Sequence, residues 1–125
     1  MTEKTYRALT PEENAAFDAA IKSWAERLSL HDWNIYRRST RKLRNARADI
    51  EPKLDPRMAA YRTGEHWRDA DVTPDHISRV ALHEACHVLL AELIAASESE
   101  SQEWRDAVEH RVINAIVRAL TGEVV

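Results

Sequence analysis

The polar and apolar positions of this chain follow two periods, and the period changes along its length. After Thr10-Pro11-Glu12-Glu13, the residues Phe17, Ala20, Ile21, Trp24 and Leu28 recur at intervals of three and four, the spacing of one helix face. Thr10 suits an N-cap, Pro11 the first helical position, and Glu13 completes a capping box. A first helix is predicted over about residues 11–29. The period then falls to two. Trp33-Asn34-Ile35-Tyr36-Arg37-Arg38 is aromatic and alternating and reads as a strand. Ala46, Ala48 and Ile50 alternate with Arg47, Asp49 and Glu51 as a second strand, and Met58 to Thr63 forms a third, with Pro52 and Pro56 punctuating the link. A small, mostly antiparallel sheet is expected.

Helical spacing returns after Thr73-Pro74-Asp75, a start of the same kind as the first. A helix over about residues 74–96 carries Ile77, Val80, Leu82, Val88, Leu89, Leu90, Leu93 and Ile94 on nearly every side, which predicts burial. The polar stretch Ser97 to Ser101 should turn the chain, with Ser99 and Gln102 as the next capping box. A last helix over about residues 100–121 ends at Gly122, a suitable C-terminal cap.

The chain has 125 residues, 44% of them hydrophobic and 31% charged, which fits one soluble domain over residues 1–125. The expected fold is α+β: an N-terminal helix, a small sheet, and two helices forming an antiparallel hairpin. Two glycines leave no glycine-rich phosphate loop. A net charge of -3 argues against a general polyanion binder. Cys86 is the one cysteine, so no intramolecular disulfide forms, in keeping with a reducing cytoplasm. The polar N-terminus lacks the apolar run of a signal peptide, and no stretch approaches the ~18 apolar residues of a membrane span. No large propeptide is expected. The expected location is cytoplasmic.

Candidate chemistry lies in the third helix. His83-Glu84-Ala85-Cys86-His87 fits H-E-x-x-H, the zinc-hydrolase pattern. Residues i and i+4 share a helix face, so both histidines can reach one ion, while Glu84 lies on the same arc and can take a proton from a water. Two imidazoles and a carboxylate on a buried helix are costly unless matched; a metal would match them. Catalytic zinc typically has three protein ligands. A hairpin turning near residue 98 puts Glu109 level with His87. Glu109 also sits amid the apolar stripe Val108, Val112, Ile113, Ile116, Val117 and Leu120. His110, about 100° further around the helix, is the alternative third ligand if the two helices cross at an angle.

With Glu109 downstream on the next helix, the motif resembles the gluzincin class of zinc metallopeptidases. More narrowly, the chain is similar to small metallopeptidases encoded by phages and prophages. Those open with a helix and a strand bearing Trp-x-Ile, here Trp33-Asn34-Ile35. A short sheet follows, then H-E-x-x-H, then a helix bearing a glutamate, here Val108-Glu109-His110-Arg111-Val112. The resemblance implies a zincin-like fold, a single Zn²⁺ held by His83, His87 and Glu109, and hydrolysis of a peptide or protein substrate with Glu84 as general base. For a phage-encoded chain the compartment is the cytoplasm of the bacterial host. The oxyanion-stabilising residue of such enzymes has no motif here; His66, Arg68 and Tyr61 qualify by type alone. A strand edge would hold the substrate extended, with Met58 to Thr63 the expected edge.

Other features carry blander readings. Cys86 reads as a buried small apolar residue, His76 as part of a first helical turn, and Trp24, Trp33, Trp67 and Trp104 as packing residues. The run from Arg37 to Arg47 holds six basic residues and no acid. It reads as a solvated loop, with nucleic acid or an acidic partner a less favoured reading. Two competing functions therefore stand beside a zinc peptidase: a zincin-like domain in which the metal only ties helices together, and a nucleic-acid- or partner-binding module.

Overall fold

The computed structural model describes residues 5–38 and 43–123. Thr10 caps the first helix, α1 (Pro11–Arg27), through the capping box expected of it, with the Glu13 side chain accepting from the Thr10 backbone. Phe17, Ile21 and Trp24 form its buried face. Three strands follow: β2 (Asn34–Arg37), β3 (Ala48–Lys53) and β4 (Met58–Thr63). Two short segments, β1 (Tyr6–Arg7) and β5 (Trp67–Arg68), pair antiparallel beside them. Two residues are too few for alternation to show, so this pair leaves no mark in the sequence pattern.

The three longer strands form one sheet in the order β2-β4-β3. β3 runs antiparallel to β4, as expected, but β2 runs parallel to it. Met58 to Thr63 is thus the central strand, with Ala59, Ala60 and Tyr61 buried, and cannot be the free edge expected of it. Among the described residues the edges are β2 and β3, and β3 is the one that packs beside α2. Pro52 lies in β3, and proline, lacking an N–H, is confined to edges.

A 3₁₀ turn (Asp69–Asp71) leads to α2 (Pro74–Leu89), capped by Thr73, whose Oγ1 accepts from the His76 backbone. α2 packs against α1, β3 and α4 (Gln102–Thr121). It buries Ile77, Val80, Leu82, Cys86 and Val88. The predicted continuous helix over about residues 74–96 breaks at Leu90, where φ is -93° and ψ is 1°; this backbone belongs to a bridge region rather than a helix. The chain resumes as α3 (Ala91–Ala96), which buries no residue and leaves Leu93 64% exposed. Apolar residues on all sides therefore mark burial in α2 but not in α3. Ser101, rather than Ser99, caps α4 by accepting from the Trp104 backbone. Gly122 ends it with φ of 83°, a left-handed cap that glycine adopts freely.

α4 runs back along α2. Arg79 reaches Glu123 at the far end of α4, while His87 reaches Glu109 near its middle. The core gathers Phe17 and Ile21 of α1, Val80 and Leu82 of α2, Ile113 and Val117 of α4, and Trp67. No helix among the described residues is long and apolar enough to cross a membrane. The chain is α+β, as its pattern predicts.

Candidate metal centre and active site

The helical spacing of His83 and His87 sets their rings 5.1 Å apart. α4 brings His110 to both, 5.8 Å from His83 and 5.2 Å from His87. One ligand nitrogen from each of the three lies within 4.8 Å of the others. Glu109, expected as third ligand, reaches the same place through His87, with its Oε2 2.9 Å from His87 Nδ1. The His110 Nδ1 lies 2.8 Å from the Asp106 carbonyl oxygen. An ionised carboxylate and a carbonyl can only accept. Each Nδ1 therefore carries the proton, which leaves the Nε2 lone pairs of His87 and His110 for another partner. This is the arrangement in which a metal-binding histidine is held by its other nitrogen. Arg105, one turn before Glu109 on α4, does not compete for this carboxylate: its guanidinium bonds Gln102.

His83 and Glu84 face a different environment. Burial, and the neighbouring His87, His110 and Arg47, push the His83 pKa down to about 4. The ring is neutral at physiological pH, the form a metal requires. Burial raises the Glu84 carboxyl to about 8, with Asp49 and Glu109 adding to the shift and Arg47 opposing it. Glu84 is the one buried charged residue, 5% exposed, among those described. Neither its Oε2 nor the His83 Nδ1 meets a hydrogen-bond partner there, and such atoms are costly to bury unmatched. Three imidazole donors, two with oriented tautomers, and two unmatched buried polar atoms fit an ion of the zinc class.

Two cavities flank this group. One, of about 270 Å³, is lined by Asn45, Ala46, Arg47, His66, His83 and Glu84, among others. The other, of about 470 Å³, is lined by Ile50, Pro52, Leu54, His87, Ile94 and Glu109, among others. β3 borders both, through Ala48 on one side and Ile50 and Pro52 on the other. α3 lines the larger cavity through Ala91, Ile94 and Ala95, and its Glu92 pairs with Arg57, which also pairs with Asp32.

The wall opposite Glu84 depends on a glycine. A Cβ at Gly64 would overlap the Ala46 carbonyl oxygen and sit 2.5 Å from that of Leu43. The Gly64 N–H donates to the Arg47 carbonyl at 2.7 Å, and Trp67 Nε1 donates to the same oxygen at 2.9 Å. These contacts bring Arg47 into the cleft. The sequence marks Arg47 only as part of a basic run; the signal that could have singled it out is Gly64, an isolated glycine closing a strand.

Of the three oxyanion candidates, His66 lines the cavity holding Glu84 and Arg68 lines one adjoining it. Tyr61 is buried elsewhere and donates to Asp18 at 2.6 Å. Cys86 is fully buried, its thiol pushed up to about 12 by desolvation, and acts as a packing residue. His76 occupies the first turn of α2, as expected, with its ring edge on Trp67. In the basic run, Arg37 pairs with Asp18 and Arg38 with Glu51, while Ser39 to Lys42 lie outside the described residues. Comparison of the chain with protein-family models, with curated proteins and with solved structures finds no match in any of the three.

Proposed function

We propose that the chain is a zinc-dependent peptidase in which His83, His87 and His110 hold one Zn²⁺, Glu109 orients His87, and Glu84 is the general base. The observation that carries this reading is the convergence of three imidazoles beside a buried, unmatched carboxylate. When bound, the ion supplies Lewis acidity, polarising a carbonyl and acidifying a water. Glu84 takes a proton from the attacking water and passes it to the leaving amine. The free edge of β3 offers backbone groups to an extended peptide, and the larger cavity, walled by Ile50, Pro52 and Leu54, accepts an apolar side chain. On this reading the chain keeps the element order of the phage-type gluzincins and departs from them in its third ligand.

Glu84→Gln keeps the shape and removes the base. Stoichiometric zinc should remain in the variant while cleavage of a mixed fluorogenic peptide library falls by about 10²-fold or more. Undiminished cleavage, or wild-type protein without stoichiometric metal, refutes the proposal. A zinc that merely ties α2 to α4 is the second reading, favoured by the position of His110 on a separate helix; it predicts metal binding with no cleavage by the wild type. A nucleic-acid-binding role is less supported, because Arg37 and Arg38 already hold Asp18 and Glu51.

A further inference from the structure

Beyond the cavity that holds Glu84, and sharing Arg47 and His66 with it, lies another of about 290 Å³ lined by Tyr6, Arg47, His66, Arg68, Asp71 and His76. Two arginines and two histidines wall it against one acid. Asp71 faces Arg68 at 4.0 Å, too far for a hydrogen bond. Arg47 is the unusual member. Arg7, Arg37, Arg62 and Arg79, also partly buried, each grip a carboxylate, and Arg105 grips the carboxamide oxygen of Gln102. Among the described residues the Arg47 guanidinium instead meets a ring nitrogen, His76 Nε2, at 3.2 Å. A guanidinium only donates, so that imidazole accepts and is neutral. Burial and the charges of Arg47 and Arg79 hold its pKa down. Arg47 is thus anchored through its backbone, aimed through its side chain, and left with donors facing a cavity continuous with the catalytic cleft. A planar fork of such donors is matched bidentately by a carboxylate.

We propose that the cavity between Arg47 and Arg68 is a carboxylate subsite, so that the preferred substrate is a peptide carrying an acidic side chain or a free C-terminus on the Glu84 side of the cleaved bond. The carboxylate sits outward, between the two arginines, whose two positive charges exceed the single negative charge of Asp71, the one acid among the described residues lining that cavity. The proposal rests on the peptidase reading for its word "substrate", but not for its test.

The test is calorimetric binding of three N-acetylated pentapeptides to protein carrying Glu84→Gln, with and without Arg47→Gln. One peptide bears an internal glutamate and an amidated end, one bears glutamine and a free carboxylate, and the neutral control bears glutamine and an amide. At least one acidic peptide should bind about tenfold tighter than the control, as expected for a charge-assisted pair. Which of the two does so separates side chain from C-terminus. Arg47→Gln should reduce the preference to within about twofold, Arg68→Gln should weaken it less, and raising the ionic strength about tenfold should erode it in the parent. Equal binding of all three peptides, no binding of any, or a preference that survives both arginine substitutions overturns the proposal. So does an Arg47→Gln protein that binds as before but no longer turns over in an otherwise wild-type chain, which would make Arg47 an oxyanion group. Among the described residues the Arg47 side chain donates to no backbone group, and its own carbonyl is untouched by the substitution. The melting temperature of each variant separates lost recognition from lost fold. Absence of cleavage with the binding preference intact would refute the peptidase and leave the subsite standing.

Discussion

Truncating Glu109 and His110 separately tests how the proposed metal centre divides its labour. In the proposed centre His110 presents its Nε2 to the ion, so removing it deletes a ligand. Glu109 acts on His87 through the 2.9 Å contact at Nδ1, so removing it leaves all three imidazoles but frees one ring to rotate. Four-ligand structural zinc sites bind with roughly 10–16 kcal/mol, about 3–4 kcal/mol per ligand. His110→Ala should therefore weaken zinc about 10²- to 10³-fold, as should His83→Ala. Loss of an orienting partner costs about 10- to 100-fold, the range expected for Glu109→Ala. Glu109→Gln keeps a carbonyl acceptor for His87 Nδ1 and should fall closer to wild type. Competition against a fluorescent chelator of known affinity measures all four. The reasoning is refuted if Glu109→Ala loses as much affinity as His83→Ala while His110→Ala keeps wild-type binding. Glu109 would then be the third ligand, as the gluzincin resemblance implies.

Two further outcomes follow from burial and close packing. In the metal-free protein the folded Glu84 carboxyl titrates at about 8 against 4.5 unfolded, so its contribution to stability is full below 4.5 and is lost as pH rises through 8. His83, held at about 4 against 6.5, contributes fully above 6.5 and loses that contribution as pH falls through 4. The two slopes oppose each other between pH 4.5 and 6.5; from 6.5 to 8 Glu84 acts alone, and urea melts should show a loss of roughly 2 kcal/mol. Glu84→Gln should remove that slope, and a slope unchanged in the variant would assign it elsewhere. Gly64→Ala forces a methyl against the Ala46 and Leu43 carbonyls; it should cost about 1–3 kcal/mol in the same melts and displace Arg47. A variant as stable as wild type would show that the 43–47 segment yields without cost.

Local patterns in the sequence carry most of the elements because their causes are local. Thr10, Pro11 and Glu13 build the start of α1 from hydrogen bonds within four residues, and Gly122 ends α4 through its own backbone freedom. The metal arc is equally local, since helix geometry alone sets His83, Glu84 and His87 on one side. Pro52 could have marked β3 as the edge, and with it β4 as the centre. The pairing of β1 with β5 could not have been read, because its cause is the docking of two short segments remote in sequence.

Which of two adjacent residues on α4 joins His83 and His87 was a question of a different kind. The sequence by itself determined that a carboxylate and an imidazole, Glu109 and His110, stand at the level of His87. It could not determine their roles, because neighbours on a helix differ by about 100° in direction. How α4 crosses α2 sets His110 beside both His83 and His87, and Glu109 against His87 Nδ1. The same holds for Arg47, one of six basic residues in a run until Gly64 and Trp67 draw its backbone into the cleft. Tertiary structure decided these points for a physical reason: helix faces and strand alternation are set by bonds along the chain, whereas the meeting of atoms within a few ångströms is set by how separate elements pack.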